Sequence, residues 1–127
     1  MNAFLALANS VLTLLAGLLG AGGVTAAAAA AHGSFGDTLN TAALFALLHG
    51  TLVVALTRGT PTRLSTLAAA LIMTGALLFC GDLAARAVLQ RGLFPMAAPA
   101  GGFVLIGGWL MTGLSALLRG TPTAPGA

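Results

Sequence analysis

The stretch LNTAALFALLHGTLVVALT, residues 39–57, decides the fold. It contains no charged residue, and at ~1.5 Å per helical residue it matches the ~30 Å hydrocarbon core of a bilayer. His49 lies near its middle, where a titratable side chain is costly unless it faces protein or trapped water. The stretch therefore predicts a transmembrane helix with one polar residue that the neighbouring helices must accommodate. His49 is either a functional residue or a neutral imidazole that hydrogen-bonds a hydroxyl or carbonyl of another helix.

Composition indicates that the whole chain belongs in a membrane. Of its 127 residues 58% are hydrophobic and only 6% are charged, whereas a soluble domain carries roughly 25% charged residues. The high isoelectric point, about 11.4, comes from five arginines against two aspartates, without lysine or a basic run. Nucleic acid is therefore excluded as a partner. The single cysteine, Cys80, excludes an intramolecular disulfide and any cysteine-cluster metal site.

Hydropathy and stop signals predict an all-α, integral membrane four-helix bundle with helices at about 3–31, 38–57, 64–90 and 99–118. The pentapeptide RGTPT follows the second helix at 58–62 and recurs at 119–123. Arginine near a helix end, glycine just past it and proline beyond is a strong stop signal. We expect residues 1–120 to form one transmembrane domain, followed by a short Pro/Gly-rich tail at 121–127. Ser34 or Asp37 is expected to cap the second helix.

Four spans place both termini and the 58–63 loop on one side of the membrane. That side carries Arg58, Arg63 and Arg119, and the opposite side carries Arg86 and Arg91. The bias toward cytoplasmic arginines predicts that both termini are cytoplasmic.

Asp82 and Arg86 are four residues apart on one helix face, with the acid first, which favours an ion pair. One interpretation is a self-neutralised pair whose arginine reaches the headgroups. The alternative is that Asp82 turns inward and forms a small outer polar pocket with His32 and Asp37. Cys80 is ~200° around the helix from Asp82 and is expected to be a small apolar packing residue.

The sequence predicts no catalytic, cofactor-binding or metal-ligating residue, and the protein is not expected to be an enzyme. His32 and His49 differ in depth by ~16 Å, so one subunit cannot clamp a haem between them. A haem shared by two copies of His49 across a dimer stays open. No nucleophile–base set, phosphate loop or metal-spaced His/Glu set is present.

Several short stretches occur in a characteristic order: AHG at 31–33, FALLHG at 45–50, LFCGDL at 78–83, LFPMAAPAGG at 93–102 and LIGGW at 105–109. Together they resemble domain-of-unknown-function family 423, small four-helix bacterial inner-membrane proteins related to transmembrane protein 256 of eukaryotes. The resemblance implies the fold and a location in the bacterial inner membrane, and it implies no activity.

Two classes of function follow as hypotheses. Abundant small residues and few charges favour a non-catalytic accessory or assembly subunit that packs against other membrane proteins or a second copy of itself. The alternatives are a small transporter or proton-relay element that uses His49 with Asp82 or Asp37, or a protein that binds lipid or quinone between its helices. A broken helix or an aqueous cavity around His49 favours transport, and glycine and alanine faces exposed to lipid favour a partner.

Overall fold

The computed structural model describes residues 1–118, which form four α-helices. They are α1 (Asn2–His32), α2 (Gly36–Thr57), α3 (Arg63–Leu89) and α4 (Ala97–Leu118). Each is long and apolar enough to cross a membrane. The predicted all-α class, the four spans and their approximate bounds are therefore confirmed, and the chain is a multi-pass membrane protein. Arg119 and the predicted tail at 121–127 lie outside the described residues.

The connections between helices follow local chemistry. As predicted, α2 ends at the RGTPT stop signal, with Arg58 at the C-cap position and the next helix starting only at Arg63. Thr62 and Ser65 form a capping box at the start of α3, because the Thr62 side chain accepts from the Ser65 backbone N–H and the Ser65 hydroxyl accepts from the Thr62 N–H. Pro99 lies in the first turn of α4, where its missing N–H costs nothing.

The predicted capping of α2 is wrong. The N-cap residue is Phe35, and no side chain caps the helix. Gly36 begins the helix at φ +70°, a backbone conformation that glycine adopts without steric cost. Asp37 lies within the first turn instead of before it. Its negative charge still lies at the positive end of the helix dipole.

The bundle is open on one side. Helices α1, α2 and α3 contact one another, whereas α4 packs on α3. Within the described residues, no Cα of α4 comes within 8 Å of a Cα of α1 or α2. Helices α1 and α4 therefore form the two edges of the array, and each leaves a broad apolar face uncovered.

Glycines allow the closest helix–helix contacts. A Cβ added to Gly101 of α4 would lie 2.6 Å from the Phe79 backbone nitrogen of α3, and one added to Gly75 of α3 would lie 2.8 Å from the Leu105 nitrogen. A Cβ at Gly50 of α2 would lie 3.1 Å from the Ala16 carbonyl oxygen of α1. Backbone-to-backbone packing at small residues is the usual way in which transmembrane helices associate, since lipid offers no hydrophobic driving force between them.

Candidate functional site

His49 is buried in the middle of α2, as the sequence predicted. Its side chain and backbone are only 5% exposed, and α2 runs without interruption from Gly36 to Thr57. The Phe45 ring, one helical turn earlier, stacks on the imidazole with ring centroids 5.4 Å apart. Phe45 in turn contacts Phe79 of α3. The imidazole is therefore held among aromatic side chains of two helices.

Both ring nitrogens of His49 have hydrogen-bond partners. Nδ1 lies 2.7 Å from the Phe45 carbonyl oxygen, and the indole N–H of Trp109 on α4 donates to Nε2 at 3.3 Å. A carbonyl only accepts and an indole N–H only donates. Nδ1 must therefore carry the proton and Nε2 must be the acceptor, which is the neutral imidazole with one fixed tautomer. The bond from Trp109 is also a direct side-chain link between α4 and α2.

The prediction that a hydroxyl or carbonyl of another helix binds His49 is wrong, because the interhelical partner is an indole N–H. The threonine hydroxyls of the neighbouring helices either bond elsewhere or face outward. Thr112 donates to the Gly108 carbonyl and Thr25 to the Ala21 carbonyl, while Thr74 is exposed. The Thr13 hydroxyl donates to the Asn9 backbone carbonyl and also forms a hydrogen bond with the Thr57 hydroxyl.

Trp109 lies at the edge of the bundle and is 51% exposed. Its ring meets the imidazole edge-on, with centroids 6.2 Å apart and planes at 77°. This geometry presents the N–H edge to His49 while the rest of the indole faces the lipid.

Asp82 and Arg86 form the predicted ion pair. Arg86 Nε lies 2.7 Å from Asp82 Oδ2, and Asp82 is fully buried while Arg86 is half exposed. The second carboxylate oxygen accepts the backbone N–H of Leu93 at 2.7 Å. Asp82 thus fastens the α3–α4 connection to the end of α3, a contact that i, i+4 spacing alone did not predict. A Cβ at Gly92 would lie 2.7 Å from Asp82 Oδ1, so the connection passes directly against the pair.

The predicted outer polar pocket of Asp82, His32 and Asp37 is not assembled. Asp37 lines a shallow depression of about 320 Å³ with Gly33, Gly36 and Asn40, and Asp82 does not line it. His32 and Asp37 are both exposed. The two aspartates of the chain therefore belong to separate environments.

Cys80 is a packing residue, as predicted. It is buried in a small apolar cluster with Ala42 and Ala46 of α2. Among residues 1–118, no three His, Cys, Asp or Glu side chains are grouped so that they could hold a metal ion.

Asn9 is a buried polar residue that was not predicted from the sequence. This residue of α1 is 5% exposed, and its Oδ1 accepts the Thr66 hydroxyl of α3 at 2.9 Å. Its side-chain nitrogen is buried without a hydrogen-bond partner among residues 1–118. The available signal was an amide inside an otherwise apolar helix, which is rarely left without a polar partner.

A comparison with known protein families identifies the family of the chain. The family model described as "Protein of unknown function (DUF423)" matches residues 19–102, about two thirds of the chain. The chain belongs to the DUF423 family. No curated protein and no solved structure matches it. The DUF423 match includes His49 and the Asp82–Arg86 pair, whereas Asn9 and Trp109 lie outside it.

Proposed function

We propose that this DUF423 protein is a non-catalytic accessory or assembly subunit whose α1 packs against another membrane protein. The observation that carries the proposal is an open small-residue face on α1. A Cβ added to Gly17 or Gly22 would meet no atom of another helix within 4 Å, and Ala21, which lies between them on the helix surface, is exposed. Gly23 packs inside the bundle against α2, and Gly20 also borders α2, since a Cβ added to Gly50 would lie 3.9 Å from the Gly20 Cα.

Exposed glycine has a specific consequence in a membrane. Small residues let two helix backbones approach closely, and van der Waals packing then drives association where the hydrophobic effect does not. Leucine side chains would cover an ordinary lipid-facing surface equally well and would cost less backbone entropy than glycine. The bare glycines of α1 therefore fit a second helix better than they fit lipid.

The arrangement around His49 favours this proposal over a transporter or proton relay. A relay residue needs a ring nitrogen that can exchange its partner, and here Nδ1 bonds Phe45 and Nε2 bonds Trp109. Transporter sites typically lie at broken helices, and α2 is continuous across His49. Both carboxylate oxygens of Asp82 likewise accept hydrogen bonds, one from Arg86 and one from the backbone N–H of Leu93.

We also propose the bacterial inner membrane as the location, with both termini cytoplasmic. The support is the distribution of arginines: Arg58 and Arg63 lie at the same end as the N-terminus, whereas the opposite end has Arg91 and an Arg86 that is paired with Asp82. Basic residues in short loops set orientation toward the cytoplasm.

Site-specific photo-crosslinking in intact bacterial membranes tests the accessory role. A crosslinker at Gly17 should capture a protein, either a second copy or another subunit, while one at Thr74, which is exposed on α3, should capture lipid only. Gly17→Leu should abolish the protein adduct formed from a crosslinker at Ala21. Gly113→Leu is the matched control, since that glycine is equally open but lies on α4. Lipid adducts alone at Gly17, or an unchanged adduct in Gly17→Leu, would overturn the proposal.

A further inference from the structure

We infer that a polar groove at the N-terminal end of α1 binds the phosphate group of an anionic glycerophospholipid. The groove lies between α1 and the turn that follows α2, and has a volume of about 470 Å³. Ala6, Asn9, Ser10 and Thr13 line it from α1, and Thr57, Arg58 and Pro61 line it from the end of α2 and the turn. This inference goes beyond the proposed subunit role and does not depend on it.

Asn9 is the first observation that points to a ligand. It lines the groove, is about nineteen-twentieths buried, and its side-chain nitrogen has no hydrogen-bond partner among residues 1–118. Its carbonyl oxygen is fixed by Thr66, so the amide cannot swing freely to find another partner. A buried donor without an acceptor costs free energy comparable to a lost hydrogen bond. A phosphate oxygen in the groove would accept from this nitrogen.

Arg58 is the second observation. Arg58 lines the groove, and its guanidinium forms no ion pair within residues 1–118. The neighbouring hydroxyls do not compete for a ligand, since Thr13 and Thr57 bond each other and nearby carbonyls, and Ser10 bonds the Ala6 carbonyl. The donors of the groove that lack a partner within residues 1–118 are therefore an amide N–H group and a guanidinium, a pair that suits a phosphate oxygen.

The charge at this end of the protein favours an anionic lipid. Arg58, Arg63 and the Met1 amino group share this end, whereas the two acidic side chains, Asp37 and Asp82, lie on the opposite side of the spans. Within residues 1–118, no acidic side chain is therefore available at this end to attract the cationic choline or ethanolamine group of a zwitterionic headgroup. The net positive end selects for a headgroup whose phosphate charge is uncompensated.

The depth of the groove matches a phosphate rather than a solute in bulk water. Helix α2 has 22 residues, which span ~33 Å and match a ~30 Å core, so Arg58 lies where hydrocarbon gives way to headgroups. Asn9 lies ~10 Å along α1 from its start, and α1 is ~45 Å long, which brings Asn9 to the same boundary. Lipid phosphates occupy this level.

An apolar groove beside the polar one has room for an acyl chain of the same lipid. It lies between α1 and α3, with a volume of about 570 Å³, and Arg63 borders it. Thr66, the hydrogen-bond partner of Asn9, lines this second groove. The Asn9–Thr66 contact therefore connects a polar site for the phosphate with an apolar site for the chain.

Binding of phosphatidylglycerol to the full chain in detergent micelles tests the inference. Native mass spectrometry counts the bound lipid molecules, and the thermal shift at increasing lipid concentration measures the affinity. Arg58→Gln should weaken binding about tenfold or more, because it removes a charge-assisted hydrogen bond. Arg91→Gln is the matched control, with the same change of charge on an exposed arginine that lines neither groove. At ~1 M salt, where the screening length is ~3 Å, Arg91→Gln should have less than about a twofold effect while the Arg58→Gln loss persists. Asn9→Leu should also weaken binding, and Arg58→Gln keeps the test decisive if Asn9→Leu fails to fold, since Arg58 is exposed.

Two further ligands, phosphatidylcholine and inorganic phosphate, test whether the groove requires an anionic lipid. Phosphatidylcholine should bind more weakly than phosphatidylglycerol, and inorganic phosphate at equal concentration should give no thermal shift. Equal losses in Arg58→Gln and Arg91→Gln at high salt would overturn the site in favour of a diffuse effect of net charge. A full shift with inorganic phosphate would overturn the lipid assignment, and equal binding of phosphatidylcholine would overturn the selection for anionic lipid. Unchanged binding in Arg58→Gln would overturn the inference altogether.

Discussion

The hydrogen bond between Trp109 and His49 should stabilise the docking of α4, and a double-mutant cycle measures by how much. Trp109→Phe keeps an aromatic ring at the position and removes the N–H donor. His49→Leu keeps an apolar side chain of moderate size and removes the acceptor. Each single variant leaves one polar atom of the pair unmatched, whereas the double variant leaves none, so the coupling energy isolates the interaction.

The structure sets the size of this coupling. Interhelical hydrogen bonds in membranes contribute ~0.6 kcal/mol on average and ~1.7 kcal/mol at most. The Trp109–His49 distance of 3.3 Å is longer than the usual ~2.9–3.0 Å, and Trp109 is half exposed. We therefore expect a coupling of about 0.6 kcal/mol, at the average rather than the maximum. His49→Leu alone should cost on the order of 0.6–2 kcal/mol, and His49→Gln should keep the fold because its amide oxygen can still accept the indole N–H.

The lone cysteine provides the assay. Cys80 is buried at 6% exposure, so the rate of its alkylation in detergent reports how often the bundle opens. Unlike tryptophan fluorescence, this assay also works in Trp109→Phe, which removes the only tryptophan. The control cycle pairs His49→Leu with Phe103→Leu, since Phe103 is an exposed aromatic residue of the same helix, and its coupling should be zero. A zero coupling for the Trp109–His49 pair, or a His49→Leu variant as stable as the parent, would refute the role given to this bond.

Three further predictions concern packing, the ion pair and topology. Gly101→Ala should cost about 1–3 kcal/mol of stability, since its methyl group would meet a backbone nitrogen of α3 at 2.6 Å. Gly113→Ala, where the space is open, should not lower the thermal unfolding temperature. Equal losses in the two variants would contradict the packing account. Arg86→Ala leaves the buried Asp82 carboxylate without its cation. The double variant Asp82→Asn/Arg86→Ala should therefore unfold at a higher temperature than Arg86→Ala alone. Additive losses of stability would show that the two residues act independently. A cysteine at Thr60 in a cysteine-free background should react only with membrane-permeant reagents in intact cells, and labelling by an impermeant reagent would reverse the proposed orientation.

The spans were predictable because the signals for them are local. A charge-free run of about 20 residues reads as a span on length and hydropathy alone, and the RGTPT signal ends α2 within its own five residues. The observed bounds of the helices agree with the predicted ones to within two residues. The Asp82–Arg86 pair was predictable for the same reason, since one helical turn brings the two side chains together whatever the rest of the fold does.

The lateral arrangement was not predictable, because these helices are apolar on all sides. A soluble helix shows which face is buried by alternating polar and apolar residues, but a lipid-facing leucine and a core leucine look alike in sequence. The glycines illustrate the difficulty: Gly23 packs against α2, whereas Gly22 beside it meets no neighbour. The open position of α4 and the exposure of Trp109 follow from this arrangement.

The partners of polar side chains were missed where they lie far apart in the chain. Thr66 and Asn9 are separated by 57 residues, and Trp109 and His49 by 60. The predicted partner of His49 was a hydroxyl or a carbonyl, although a tryptophan N–H is also a donor and a buried indole usually finds a hydrogen-bond partner. A wider donor inventory would have included Trp109 and still not have selected it, because the choice depends on where α4 packs.

Asn9 and His49 show how one membrane protein handles buried polarity in two ways. The imidazole has one donor and one acceptor, and the bundle supplies a matching acceptor and donor at Phe45 and Trp109. The amide has two donor hydrogens and one acceptor oxygen, and the bundle supplies only a donor, from Thr66. His49 is therefore complete within the chain, which favours a structural role. Asn9 is complete only with an acceptor from outside the described chain, and it lies where the membrane itself provides phosphates. Of the two polar residues, the histidine draws attention in the sequence, but the asparagine has the unsatisfied chemistry that a ligand would meet.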